Sequence, residues 1–265
     1  MIDPFVIVAP FLLLLIVGLL QFVGCNAILG LNEDVTLAEP DTISSKQDAV
    51  ATVETVNSNN VSAQFRYPVG DRHLIIVWLF YDSAVEQVQQ ITDNATNTYL
   101  LAIGPTTGSG QLSGLRQEIW YAADVDGTPP APDTRINVTA TFTATFSSRK
   151  AIVIHDYEGA LRVSPLDQSA ANVGTTTAAD VVARTDARMV RKAELVFAAA
   201  VFHGTFGTPG EGFGERSMPE DNLSEDRLAS KDDVIGATFN TQPNTDWVAQ
   251  MVTFHPQDAG QSPTA

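Results

Sequence analysis

The chain has 265 residues, 44% hydrophobic and 17% charged, with 31 acidic against 15 basic residues and a formal net charge of −16. That balance argues against nucleic acid, which needs a basic footprint, and against adhesion of a folded surface to anionic lipid. One cysteine leaves no intrachain disulfide framework, so any folded domain must be held by its apolar core.

Residues 5–31 (FVIVAPFLLLLIVGLLQFVGCNAILGL) carry no charged side chain. As a helix at ~1.5 Å per residue, about 27 residues span roughly 40 Å, enough for a ~30 Å hydrocarbon core. A core helix of that length would show a polar face, so residues 1–31 are expected to form an apolar membrane, signal or assembly helix, with Pro10 at a kink or in its first turn. Three forms stay open. A cleaved secretory signal would have a shorter apolar region and a basic start. A lipoprotein signal is suggested by Gly24 before Cys25, which makes Cys25 a lipidation candidate, although Phe22 and a start without Lys or Arg fit that motif poorly. An uncleaved anchor suits the length. The plain reading of Cys25 is a small apolar residue within a membrane helix. The first basic residue is Lys46, too far away to fix orientation.

Residues 32–47 read as an extended polar linker, and residues 48–255 as a succession of strands separated by turn signals. Ala49–Val56 and Val61–Tyr67 are predicted as a first pair joined by an Asn/Ser turn. His73–Tyr81 (HLIIVWLFY) is apolar on both faces, which predicts a central strand buried between two layers. Val88–Thr92, Thr98–Ile103 and Leu115–Ala123 follow, the last two separated by a Gly/Ser/Thr loop over Gly104–Gly114. The loop Asp124–Asp133 cannot join a ladder, because Pro129, Pro130 and Pro132 lack donors. Ile136–Phe146 alternates apolar residues with Asn and Thr, the pattern of a half-buried antiparallel strand. Lys150–Glu158 is the next strand. Gly159–Asn172 reads as irregular and Val173–Asp186 as a polar Thr/Ala stretch. Ala193–His203 (AELVFAAAVFH) is a second strand apolar on both faces. After the loop Gly204–Gly214 come short strands near Phe213–Met218, Glu225–Ser230 and Val234–Thr238, then Trp247–Phe254. Residues 256–265 read as a disordered tail.

No amphipathic helix follows Leu31, which disfavours alternating β and α units. The expected fold is therefore all-β: a two-sheet antiparallel, jelly-roll-like sandwich with one N-terminal apolar helix. The order of LIIVWLFYDSA (Leu74–Ala84), ITDNATNTYLLAIGPTT (Ile91–Thr107), QEIWYAADVDG (Gln117–Gly127), INVTATF (Ile136–Phe142), HDYEG (His155–Gly159), SPLDQSAA (Ser164–Ala171), ELVFAAAVFHG (Glu194–Gly204), GFGERS (Gly212–Ser217) and WVAQMVTF (Trp247–Phe254) resembles a β-sandwich domain that recurs in uncharacterised bacterial secreted and cell-surface proteins. The resemblance implies an extracellular sandwich without known catalysis, and it brings no functional residues.

Candidate chemistry is sparse. In His155-Asp156-Tyr157-Glu158, strand alternation turns His155 and Tyr157 one way and the two carboxylates the other, so Asp156 and Glu158 could pair without His155. The plain reading is a strand end before the Gly159 turn. A metal site that adds the distant His203 lacks any supporting geometry. Asp124 and Asp126, in Asp-Val-Asp-Gly, are metal candidates because closely spaced carboxylates and a Gly turn suit Ca2+. The position that should carry Glu in a full calcium loop is Arg135, and an acidic turn is the alternative. Gly207–Gly214 lacks the context of a phosphate loop, and neither G-x-S-x-G nor H-E-x-x-H occurs. The chain is therefore not expected to be an enzyme. Trp78, Trp120 and Trp247 fall in predicted strands as core residues, and Trp120 or Tyr121 could offer an aromatic platform for a sugar. Glycosylation sequons occur at Asn60, Asn94, Asn137 and Asn222.

The function expected from these features is a surface-anchored, extracellular structural or adhesion module, held to the membrane through residues 5–31. One alternative is a pilin-like filament subunit that associates with copies of itself through the N-terminal helix. Another is a lectin-like module binding glycans through Gly104–Gly114, Asp124–Asp133 and Gly204–Gly214.

Overall fold

A computed structural model describes residues 42–175, 180–188, 193–229 and 234–257. The apolar segment 5–31, Cys25, linker residues 32–41 and tail residues 258–265 lie outside the described residues. Among the described residues, no helix is long and apolar enough to cross a membrane.

The described residues form sixteen strands in four antiparallel sheets. In the first half these are β1 (Ser44–Ser45), β2 (Val50–Glu54), β3 (Ser58–Gln64), β4 (Leu74–Asp82), β5 (Val88–Asp93), β6 (Leu100–Thr107), β7 (Leu115–Ala122), β8 (Asn137–Phe146) and β9 (Lys150–Glu158). In the second they are β10 (Leu166–Thr175), β11 (Asp180–Arg188), β12 (Glu194–Phe202), β13 (Gly214–Ser217), β14 (Leu223–Ala229), β15 (Val234–Asn240) and β16 (Asp246–Phe254). One inner sheet runs β1-β9-β4-β7-β6, with β2 also on β9, and its outer sheet runs β3-β8-β5. The other inner sheet runs β10-β16-β12-β14-β13, with an outer sheet of β11 and β15.

The two-face patterns of β4 and β12 explain this number of layers. A strand that is apolar on both faces needs a cover on each side. On β4, Leu74, Ile76, Trp78 and Phe80 enter a core shared with Leu195, Phe197, Ala199 and Val201 of β12, while Ile75, Val77, Leu79 and Tyr81 face Val138, Ala140 and Phe142 of β8. On β12, Val196, Ala198, Ala200 and Phe202 pack with Ile235, Ala237 and Phe239 of β15. Sharing one middle core between two such sheets gives four layers. The expected two-sheet sandwich is thereby corrected to two sandwiches stacked through their inner sheets.

The two sandwiches follow the same path. In the first, strands β2, β9, β4, β7 and β6 lie side by side, and β3 pairs with β8 in the outer sheet. In the second, β10, β16, β12, β14 and β13 lie in the same relative order, and β11 pairs with β15. First strand beside last, third strand inside, second strand crossing to the other sheet: this is jelly-roll winding. Only β1 and β5 lack a counterpart among the described residues. The chain is thus a tandem of two equivalent sandwiches, a repeat with no visible trace at the level of residue identity.

Several local expectations change. The first two strands are not a hairpin pair: β2 joins β9 and β3 joins β8, in different sheets. The stretch expected to be irregular after Gly159 contains β10, paired with β16 on one side only. An edge strand needs no two-faced apolar pattern, so its half-polar sequence hid it. Likewise β6 runs into the predicted loop, its ladder with β7 broken by register shifts around Gly104 and Pro105, as suits an edge strand. The end of the predicted linker adds to the sheet, where Ser44 and Ser45 pair with Glu158 and Tyr157.

Candidate functional site

The polar side chains of the middle core are the first place to look for chemistry. Strand alternation turns His155 and Tyr157 of β9 toward Ser224 and Asp226 of β14. The His155 Nε2 lies 2.9 Å from Ser224 Oγ, and its Nδ1 lies 3.4 Å from the Ile76 carbonyl. A carbonyl only accepts, so Nδ1 carries the proton and Nε2 accepts from the serine hydroxyl. The ring stands edge-on to Phe197, with centroids 4.8 Å apart. Burial lowers the His155 pKa to about 3.

A serine–histidine pair suggests nucleophilic catalysis, but a general base works best with a pKa near the operating pH. Here the imidazole is a weak base, a carbonyl stands in place of an orienting carboxylate, and Ser224 is 0% exposed. The pair instead bonds one inner sheet to the other. Beside it the Tyr157 hydroxyl donates to Asp226 Oδ2 at 2.7 Å, and Arg216 Nε approaches the same oxygen at 2.7 Å. Gln117 donates to the Ala199 carbonyl, and Gln250 donates to the Gln117 carbonyl and to Thr106 Oγ1.

The two carboxylates of His155–Glu158 do face away from His155, as alternation predicts, but they take different partners. Asp156 accepts from Gln47 Nε2 at 2.8 Å and sits 2.6 Å from His73 Nδ1. Glu158 pairs with Lys46 at 2.5 Å, and the Lys46 hydrogen bond holds its carboxyl below the usual range. Both interactions clamp the segment before β2 onto β9.

Asp124 and Asp126 diverge. Asp124 faces Arg162 at 3.8 Å, whereas Asp126 accepts the Thr128 N–H at 2.9 Å within its own turn. Of the two candidate aromatic platforms, Tyr121 is buried and Trp120 is half-buried. Tyr121 packs edge-on against Phe254 inside the middle core, and Trp120 donates its indole N–H to Glu118 Oε2 at 2.7 Å. The Tyr81 hydroxyl donates to the other Glu118 oxygen, also at 2.7 Å, and burial raises the Glu118 pKa. Trp78 and Trp247 are core residues, as expected. Asn222 is buried and accepts the Phe202 N–H, so it is structural in this fold.

The loops expected to bind glycans do not all gather at one end. The Gly127 N–H donates to Asp71, at the His73 end of β4. Gln111, Leu112 and Gly114 meet His203 and Glu220 at the opposite end, around a cavity of about 580 Å³ also lined by Asp82 and Arg149. That volume suits a small ligand. Arg149 lies 3.0 Å from Asp82 and 3.4 Å from Glu220, so its charge is held by two carboxylates of the wall.

Two further groups were not legible in the sequence. Glu225 of β14 is 0% exposed, its Oε2 accepts the Gly210 N–H at 2.9 Å, and burial pushes its pKa up to about 8. Asp167, Glu194 and His255 bring one ligand atom each to within 4.8 Å of one another, a separation that could hold a metal ion. Their spacing along the chain carries no signal, because they come from β10, β12 and the residue after β16, which only the fold makes neighbours. The chain matches no protein-family model, no curated protein and no solved structure, so its function has to be argued from its own residues.

Proposed function

We propose that the chain is a non-catalytic surface module: residues 5–31 anchor it in a membrane, and the tandem sandwich stands outside the cytoplasm as a structural or adhesion body. The resemblance to sandwich domains of bacterial secreted and cell-surface proteins belongs to this reading. The observation that supports it most is the use made of the buried polar groups. His155, Tyr157, Gln117 and Gln250 spend their hydrogen bonds joining the two inner sheets, which favours a single stiff body over a reactive cleft. Vesicle flotation of the full chain against a chain lacking residues 1–31 tests the anchor. Flotation of the full chain alone is expected; equal behaviour of the two sinks the anchored reading.

A glycan-binding role is the second reading, favoured by the cavity between Gln111, His203 and Glu220. Retention on a glycan array that is lost in Glu220→Ala would support it. No retention across sugar classes would remove it.

A further inference from the structure

Neighbouring strands β10, β16 and β12 align Leu166, Phe254 and Leu195 in one row across the sheet. Glu194 and His255 adjoin that row, so alternation turns them to the face opposite Leu195 and Phe254. Asp167 lies where the β10–β16 register shifts between Leu166 and Ser169. Such irregularities re-aim a side chain, and here the effect is to bring Asp167 to the same point. The result is one imidazole between two carboxylates: His255 Nδ1 is 2.6 Å from Glu194 Oε1, and Nε2 is 3.6 Å from Asp167 Oδ1.

The three groups are held in place. The His255 N–H donates to the Pro165 carbonyl at 2.8 Å, and the His255 carbonyl accepts from the Leu161 N–H at 2.9 Å. Gln168 donates from its side chain to Asp167 Oδ2 at 3.2 Å and from its backbone to Thr253 Oγ1 at 3.1 Å. Outer hydrogen bonds of this kind orient metal ligands. The side chains of Glu194, His255 and Asp167 are 0%, 15% and 16% exposed, so the cluster is largely dry yet reachable at His255 and Asp167.

We propose that Asp167, Glu194 and His255 bind a divalent transition cation of the zinc class, tying the edge strand β10 to β16 and β12. An imidazole with two carboxylates suits zinc-like ions better than calcium, which prefers an all-oxygen shell. Bonds of about 2.0–2.1 Å put tetrahedral ligand atoms roughly 3.4 Å apart; one ring nitrogen binds the ion, the Nε2–Asp167 Oδ1 separation of 3.6 Å is close to that value, and one ligand atom from each of the three residues lies within 4.8 Å of the others. Three protein ligands leave one position to water.

Calorimetric titration of ZnCl2 into the metal-stripped full chain tests the site. One ion per chain is expected, with Tm rising by about 5 °C when free zinc reaches ~100 times Kd. Asp167→Asn and His255→Gln should each weaken uptake at least tenfold while leaving the circular dichroism unchanged. Uptake that both variants retain, or no saturable uptake by the wild type, overturns the proposal. Co2+ titration of the wild type needs no variant: a visible d–d band saturating at one ion per chain is expected, and its absence overturns the site equally.

Discussion

The two sandwiches share a winding and differ in what fills them. The first is packed with large side chains, Phe65, Tyr81, Tyr99 and Phe142 among branched aliphatics, under a three-stranded outer sheet. Among the described residues, the second mixes Ala198, Ala200, Ala229, Ala237 and Ala249 with Phe202, Phe239, Trp247 and Met251 and is covered by two strands. The winding therefore does not dictate the filling. A small-residue interior buries less apolar area per strand, and at ~25 cal/mol per Å² it gives up stabilisation that the bulkier one keeps. Both sandwiches also lean on the middle core that they share.

The largest expected effect tests that dependence. Trp78 is fully buried in the shared core, and Trp78→Ala should cost about 3–5 kcal/mol. Thermal unfolding should remain a single transition, with both halves melting together. A mutant in which the second half melts unchanged would break the comparison.

pH comes next, because each half buries a titratable group of opposite tendency. The His155 pKa is lowered from 6.5 to about 3, so the unfolded chain binds the proton first and stability falls as pH drops from about 6.5 toward 3. The Glu225 pKa is raised from 4.5 to about 8, so its contribution is intact below about 4.5 and is lost as pH rises toward 8. Each limb has a limiting slope of roughly 1.4 kcal/mol per pH unit, and the two slopes oppose each other between 4.5 and 6.5. Denaturant titrations should show Glu225→Gln flattening the alkaline limb and His155→Gln flattening the acid one. If Glu225→Gln leaves stability at pH 8 and pH 5 in the wild-type ratio, the carboxyl is not held as described.

Smaller effects sharpen the contrast in packing. Ala200→Leu should overpack the second interior and cost about 1–3 kcal/mol; a neutral result would mean that this interior is loose rather than merely small. On the outer sheet of the first half, Ser62 and Thr139 share a cross-strand hydrogen bond of 2.7 Å. Ser62→Ala should cost about 1 kcal/mol or less, read from the denaturation midpoint.

The central strands of the two inner sheets were legible because they needed no context. β4 and β12 are apolar on both faces, and a continuous apolar run between turn residues has few other uses. β8 was legible by alternation, since Val138, Ala140 and Phe142 are buried while Thr139 and Thr141 are half-buried. β10 was not, because an edge strand is satisfied on one side and its Thr, Ser and Asn residues read equally well as loop. The doubling of the sandwich was hidden for a related reason: Trp78 and Ala199 face the same core, and no residue match links the strands that carry them. Among site residues, the directions of His155–Glu158 followed from alternation alone. Their partners did not, because Ser224, Asp226, His73 and Lys46 are remote in the chain. The cluster of Asp167, Glu194 and His255 depends in the same way on strand neighbours and on a register shift that composition does not encode.

The shared core also sets a schedule for the ribosome. When β9 emerges, the first sandwich has every strand it needs, yet the face bearing Trp78, Phe80 and Tyr157 gains its first cover only with β12 and its full cover only when β16 is made. About a hundred residues separate β9 from β16, which at ~5–20 residues per second is roughly 5–20 s of full or partial exposure. During that interval the nascent chain presents a sticky, nearly finished half-molecule, so chaperone dependence and the yield of truncated products are governed by how quickly its second half arrives.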